Sequence, residues 1–147
     1  MTLNIRKLKD TDPELAVNLR KYVYNVQGAC QDVHSELGSY LNEYMYQDAL
    51  AILLQERGIE FKKEYYFSVT FHNQTIQHKH YVDFLCKDNI FVECKAVEKL
   101  IAEHRQQLWN YMRLTKNRVG LLYNFAPMRD ECERYYYNSE SGQMYMF

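Results

Sequence analysis

Two short apolar segments, joined by three polar residues, most constrain what this chain can fold into. Residues 81–85 and 91–96 have the aromatic and β-branched composition of buried strands, yet they contain Asp83, Glu93 and Lys95. Because burying an unpaired ion costs several kcal/mol, these three charges need a shared reason to lie within a core. The segments therefore predict two neighbouring strands that carry one polar site.

The loop between these strands decides whether the charges share a face of the sheet. A three-residue loop at 87–89 makes Asp83 face Glu93, whereas a two-residue loop would put the two carboxylates on opposite faces. Such loops use the left-handed conformation, which we expect at Asn89. With the longer loop, one face carries Tyr81, Asp83, Leu85, Phe91, Glu93 and Lys95. The other carries His80, Val82, Phe84, Cys86, Ile90, Val92 and Cys94.

A carboxylate pair at this position favours a bound cation. Cross-strand β-carbons lie about 5 Å apart, and two charges at about 4 Å repel by about 4 kcal/mol at an effective dielectric near 20. Either one carboxyl keeps its proton or a cation lies between Asp83 and Glu93. Mg²⁺ or Mn²⁺ would suit carboxylate oxygens, and Lys95 could position or deprotonate a water or offset transition-state charge. A buried Asp–Lys–Glu network without chemistry explains the same spacing, so both interpretations stay open.

The remaining sequence predicts one α/β domain of 147 residues. Asp12 and Pro13 predict a helix start, and Gly38 a helix end. Helices are expected at about 13–38, 41–57 and 100–115, and strands at 61–71, 75–86, 90–96 and 118–125. The order ααβββαβ implies a mixed sheet, with the first strand near its edge. We place the core at about 12–126 and a Tyr-rich tail, expected as a loose hairpin, at about 127–147.

Helical spacing also predicts which side chains face inward. For the second helix these are Leu41, Met45, Ala49, Ile52 and Leu53. For the third helix they are Leu108, Tyr111, Met112 and Leu114.

Composition limits the partners and the compartment. The net charge of −1 gives no global field that attracts nucleic acid, which argues more against a pure DNA-binding module than against an enzyme with a local site. The four cysteines have no CxxC spacing, so we expect free thiols in a reducing compartment. No leader or membrane-length apolar run is evident, and the cytoplasm is the expected location, without a membrane partner. The 14 tyrosines suit core packing or base stacking.

Several segments, in one order along the chain, carry a family resemblance. Asp83 before the hairpin and Glu93-Cys94-Lys95 after it resemble the signature of the PD-(D/E)xK nuclease superfamily. The chain also resembles the GxxExxY family of small bacterial proteins, placed in that superfamily, over about 20–126. Similar segments are VHSELG at 33–38, LNEYMYQDAL at 41–50, VECKAVE at 92–98, HRQQLWNYMRL at 104–114 and GLLYNF at 120–125. The chain departs at Ser39 and Tyr40, where the family has proline and glycine, and at Val82, where a proline usually stands.

The resemblance implies a restriction-endonuclease-like core, αβββαβ, and a wider site. Glu43 matches a helical glutamate that supports the metal in related nucleases, although a solvent-facing glutamate would look the same. Gln107 and Tyr111 resemble the QxxxY motif of RecB-like nucleases, which implies a role in fixing Lys95 and the DNA backbone. A polar helix stripe over the sheet is the plainer alternative.

These observations predict a metal-dependent nuclease that hydrolyses phosphodiester bonds, with DNA as the expected substrate. Asp83, Glu93 and the backbone carbonyl of Cys94 are the expected metal ligands, and Mg²⁺ or Mn²⁺ the expected ion. One alternative is a nuclease-fold protein that binds nucleic acid or protein without cutting. A second is an assembly module, a homodimer formed through the Tyr-rich tail.

Overall fold

A computed structural model describes residues 5–78 and 80–147. Its helices are α1 (Pro13–Leu37), α2 (Glu43–Glu56) and α3 (Ala102–Thr115), with a 3-10 turn at Leu8–Asp10. Its strands are β1 (Arg6–Lys7), β2 (Phe61–Phe67), β3 (Thr70–Phe71), β4 (Gln74–Thr75), β5 (His80–Cys86), β6 (Ile90–Lys95), β7 (Val119–Asn124), β8 (Glu131–Asn138) and β9 (Gln143–Met146). None of the helices in the described ranges is long and apolar enough to cross a membrane.

Seven strands form one mixed sheet in the order β1-β9-β8-β7-β6-β5-β2. The β6–β7 and β1–β9 pairs are parallel and the others are antiparallel. α1 and α2 pack on one core, and α3 on a second core built from other side chains of the same sheet. This α/β arrangement, a mixed sheet flanked by helices, confirms the predicted fold class and is consistent with a restriction-endonuclease-like core.

The ends of α1 confirm the signals in the sequence. The Asp12 carboxylate accepts a hydrogen bond from the backbone N–H of Leu15 at 3.1 Å, and Pro13 is the first helical residue. Gly38, with φ +82°, donates its N–H to the carbonyl of His34 at 2.9 Å. The left-handed φ explains why a glycine ends this helix.

The predicted inward face of α2 is right for Leu41, Ala49 and Leu53, which pack against the core, and wrong for Met45 and Ile52. Met45 and Ile52 are 39% and 58% exposed, whereas Tyr46 is fully buried, as are Leu50 and Leu54. The Tyr46 hydroxyl donates to the carbonyl of Gly38 at 2.7 Å, and its ring stacks on Phe125 with centroids 5.0 Å apart. A tyrosine with a satisfied hydroxyl can occupy a core position, and this anchor rotates the helix.

Two other predicted elements differ in extent. Leu114 is 45% exposed near the end of α3, while Leu108 and Met112 are buried as expected. The strand predicted at 61–71 leaves the sheet after Phe67, and the one predicted at 75–86 joins it only at His80. Between them lies the β3–β4 hairpin, whose turn is formed by His72 and Asn73 with φ +50° and +61°. β2 forms the sheet edge, as predicted.

The C-terminal segment belongs to the sheet, past the core boundary that the sequence suggested near residue 126. β8 and β9 form the expected hairpin, but β8 also pairs along its length with β7. Tyr135 is fully buried, and Tyr136 and Tyr137 are each 9% exposed. These tyrosines pack within their own chain, which leaves little of them for the predicted dimer contact.

Candidate active site

The β5–β6 hairpin has the register that brings the predicted carboxylates together. Cys86 pairs with Ile90, and the pairing continues to Phe84 and Val92, so the loop at 87–89 has three residues, as predicted. Extended by one position, the same register places Asp83 opposite Glu93.

The loop reaches this conformation through a different residue from the one predicted. Lys87, with φ +52°, takes the left-handed conformation that we expected at Asn89. The Lys87 ammonium donates to the carbonyl of Tyr22 at 2.9 Å, and the Tyr22 hydroxyl donates to the Asn89 side chain at 2.7 Å. Contacts with α1 therefore select the loop conformation.

Backbone pairing is interrupted on both sides of Asp83. β2 and β5 pair at Lys63–Phe84 and again at Tyr65–Val82, but not between Glu64 and Asp83, and Glu64 has φ +53°. The β5–β6 pairing also ends at Phe84 and does not reach Asp83. The side chains bridge the resulting gap. The N–H of Asp83 donates to Glu93 Oε1 at 3.0 Å, and the N–H of Cys94 donates to Asp83 Oδ2 at 2.8 Å.

The same interruption changes which face of the sheet the neighbouring side chains occupy. Val82 packs in the core under α3, whereas Phe84, two residues on, packs in the core under α1 and α2. We predicted both on one face, with His80. For Val82 this is wrong, and it is also wrong for His80, whose ring lies 6.4 Å from that of Tyr111 on α3. Regular alternation fails because the strand is distorted between these residues, opposite the left-handed Glu64.

Burial makes the carboxylate pair electrostatically costly in the absence of a cation. Asp83 is 8% exposed and Glu93 5%. Burial raises the pKa of both carboxyls; the charge of Asp83 raises the pKa of Glu93 further, and nearby Glu43 raises that of Asp83. Backbone N–H donors and Lys95 act in the opposite direction but do not cancel the shifts. The pair is therefore held towards a protonated form, as expected for like charges in a partly dry site.

A chain of side-chain hydrogen bonds leads from Lys95 to α3. Lys95 Nζ donates to Gln107 Oε1 at 3.2 Å, and Gln107 Nε2 donates to the Tyr111 hydroxyl at 3.2 Å. Burial raises the pKa of Tyr111, the hydrogen bond from Gln107 acts to lower it, and the charges of Glu93 and Asp83 add to the rise. The structure thus brings together the residues that the sequence selected on β6 and α3.

Two further carboxylates lie near the pair. Glu43, the first residue of α2, is half-buried, which raises its pKa, while Lys95 lowers it; its carboxylate also accepts from Gln47 at 3.1 Å. Glu64 is exposed on β2, and its charge contributes to the raised pKa of Asp83. Glu64 is not among the site residues predicted from the sequence, because a charged residue on an edge strand is an ordinary protective feature.

The donor set suits a hard divalent ion held by few protein ligands. Within the described residues, no group of three His, Cys, Asp or Glu side chains is arranged around an ion site. In the same part of the chain, Asp83 Oδ1 and Glu93 Oε2 accept no hydrogen bond. The one side-chain polar atom there that is both fully buried and without a partner is Trp109 Nε1, so these two carboxylate oxygens are not fully buried. Mg²⁺ commonly takes one or two carboxylates and completes its shell with water and phosphate, so this pair fits such an ion.

Comparisons with known proteins bear on this arrangement. A family model described as the PD-(D/E)XK nuclease superfamily matches residues 20–135. A search of curated proteins found no match. Among solved structures, the crystal structure of SSO0001 is similar, with a TM-score of 0.50 and 19% identity over 63% of this chain and 48% of that one. The chain spans about half the length of SSO0001, and at this identity the likeness concerns the fold alone.

Proposed function

Because the chain belongs to the PD-(D/E)XK nuclease superfamily, we propose that it is a metal-dependent nuclease that hydrolyses phosphodiester bonds in DNA. One observation carries the proposal: Asp83 and Glu93 are joined by hydrogen bonds across a gap between two strands, and each has one oxygen that accepts no hydrogen bond and is not fully buried. A purely structural carboxylate pair has no need of such unpaired oxygens.

The roles of the residues follow from their contacts. Asp83 Oδ1, Glu93 Oε2 and the carbonyl of Cys94 would hold Mg²⁺ or Mn²⁺. The bound ion would polarise the phosphate and acidify a water that attacks phosphorus directly, without a covalent enzyme intermediate. Lys95 uses one ammonium hydrogen on Gln107 and keeps two for that water or for a phosphate oxygen.

Three further side chains support the proposed metal ligands and Lys95: Gln107, Tyr111 and Glu43. Gln107 fixes the Lys95 side chain and is itself held by Tyr111, whose hydroxyl hydrogen stays free for a DNA phosphate. Glu43 adds negative charge beside Asp83, which strengthens attraction for a cation.

We also propose that the chain belongs to the GxxExxY family within the superfamily. The support comes from Tyr40, which stands where that family has glycine and which adopts φ +62°. A left-handed backbone is the conformation that glycine adopts without strain, so the turn keeps the geometry of the motif although its residue differs.

A nuclease-fold protein that binds nucleic acid without cutting is the second candidate. It is favoured by the reciprocal hydrogen bonds of Asp83 and Glu93, which already satisfy one oxygen of each carboxylate. In that protein the pair would act as a structural bridge.

Turnover and metal binding, measured together, separate the two candidates. The full chain is incubated with Mg²⁺ or Mn²⁺ and with single-stranded DNA, duplex DNA or RNA, and Mn²⁺ binding is measured by calorimetry. We expect Asp83→Asn and Glu93→Gln to lose at least about a hundredfold in rate and to lose Mn²⁺ binding, and exposed Glu140→Gln to change neither. Turnover that persists in both site variants would refute the assignment of the site, and Mn²⁺ binding without turnover would favour the binding protein.

A further inference from the structure

Two exposed tyrosines stand side by side on the strands next to the carboxylate pair. Tyr66 of β2 and Tyr81 of β5 are cross-strand partners, with ring centroids 5.5 Å apart and planes inclined by 52°. They are 56% and 47% exposed, in contrast to the buried Tyr135. Large rings placed together at a solvent-facing position offer their π-faces to a ligand.

The tyrosine pair lies within one nucleotide of the proposed site. Tyr81 is two residues before Asp83 on the same strand, which corresponds to about 7 Å along the chain. A nucleotide whose phosphate reaches the carboxylates would place a neighbouring base over these rings.

Charge and strand position favour a nucleic acid over a second copy of this chain. β2 is the sheet edge, but Lys62, Lys63 and Glu64 lie along it, and charged edge strands resist pairing with another sheet. The chain has a net charge of −1, so a polyanion must gain affinity from local contacts and not from a general field. Stacking on aromatic rings is such a contact, and it tolerates any base.

We propose that Tyr66 and Tyr81 form a stacking platform for an unpaired nucleobase, so that the site selects single-stranded nucleic acid. This inference rests on the proposed function. In a duplex both faces of each base are covered by neighbouring base pairs, whereas an unpaired base has a face available. The platform would therefore distinguish single-stranded from double-stranded nucleic acid and would not distinguish one base sequence from another.

Equilibrium binding tests the platform without turnover. Fluorescence anisotropy in EDTA compares a labelled single-stranded DNA, the same strand with abasic sites, and the matching blunt duplex. We expect wild type to bind the intact strand most tightly, and Tyr66→Leu combined with Tyr81→Leu to weaken that binding about five- to hundredfold. Binding to the abasic strand and to the duplex should change less than about twofold, because neither offers a free base.

Two control variants identify the ring as the cause. Replacing Tyr66 and Tyr81 by Phe keeps both rings and should retain binding, and Tyr24→Leu, at a 74% exposed position on α1, should have no effect. Thermal unfolding of each variant reports whether it is folded. The inference is overturned if the double Leu variant binds the intact strand like wild type, if the abasic strand loses as much affinity, or if wild type prefers the duplex.

This experiment can fail separately from the proposed function. Mg²⁺-dependent turnover that is unaffected by the double Leu variant would remove the platform and leave the nuclease. Base-dependent binding without any turnover would keep the platform and assign it to a protein that binds without cutting.

Discussion

Replacing Glu93 by Gln should stabilise the metal-free protein while it abolishes metal binding. In the unfolded chain the Glu93 carboxyl has its ordinary pKa of 4.5, and in the folded chain burial and the charge of Asp83 raise it. Between these two values the folded state holds a proton that the unfolded state has released, so wild-type stability falls as the pH rises. The glutamine side chain of the Glu93→Gln variant would carry no charge, and its amide oxygen can still accept from the N–H of Asp83.

The size of the gain is limited by the cost of keeping Glu93 protonated. At about 1.36 kcal/mol per pH unit, protonation of a group of pKa 4.5 costs about 3.4 kcal/mol at pH 7 and about 0.7 kcal/mol at pH 5. The buried charge cannot destabilise the folded state by more than this protonation cost, because the folded protein would otherwise bind a proton at Glu93. After the polar amide is buried in its place, we expect a gain of about 1–3 kcal/mol at pH 7 and less than about 0.7 kcal/mol at pH 5.

Urea unfolding in EDTA at both pH values measures this gain, with Glu140→Gln as the exposed control that should change neither value. Addition of Mn²⁺ should raise the midpoint of wild type and leave that of Glu93→Gln unchanged. A variant no more stable than wild type at pH 7, or one equally stabilised at both pH values, would refute the view that Glu93 is a costly buried acid.

Three other substitutions test features around the site. Tyr40→Gly should raise the free energy of unfolding by about 0.5–1 kcal/mol by relieving the left-handed φ of +62°, whereas Tyr40→Ala, which keeps a Cβ, should not. Gly120→Ala should lower the free energy of unfolding by about 1–3 kcal/mol, because the added Cβ would lie 2.6 Å from Met112 Sδ of α3. Chemical denaturation measures the effects of the Tyr40 and Gly120 substitutions. Burial acts to raise the pKa of Glu133, but hydrogen bonds from Arg105 and Tyr135 lower it overall, so its stabilisation exists above about pH 4.5 and is lost in acid. Glu133→Gln should therefore cost about 1–2 kcal/mol at pH 7 and almost nothing at pH 3, measured by urea unfolding.

The sequence could predict the hairpin because its pattern admits few solutions. Apolar residues on both sides of 87–89 fix the strands, and a shift of one residue would have moved every side chain to the other face. The same reasoning placed Lys95 on β6, and motif spacing placed Gln107 one helical turn before Tyr111. Periodicity and loop length therefore predicted the hairpin, whereas the neighbours on α3 were predicted only from the resemblance to the QxxxY motif.

What the sequence could not predict depends on tertiary contacts. Neither a left-handed Lys87 nor a left-handed Glu64 follows from local preference, since both residue types avoid that conformation. The rotation of α2 depends on a carbonyl at Gly38 that becomes available to Tyr46 only after α1 has ended there. Patterns of hydrophobic residues contain no information on such polar contacts.

The interruption at Asp83 explains how a charged pair can occupy an apolar sheet at all. Because neither neighbouring ladder continues through this residue, the N–H groups of Asp83 and Cys94 are available to the two carboxylates. Each acid gains one donor from the opposite strand, and its second oxygen accepts no hydrogen bond. Donors on one side and solvent on the other reduce the desolvation cost but do not remove it, as the raised pKa of both acids indicates. A divalent cation beside the two acids would offset the remaining desolvation cost. Under the proposed function, the local distortion of β5 is therefore the feature that would allow this sheet to hold a metal.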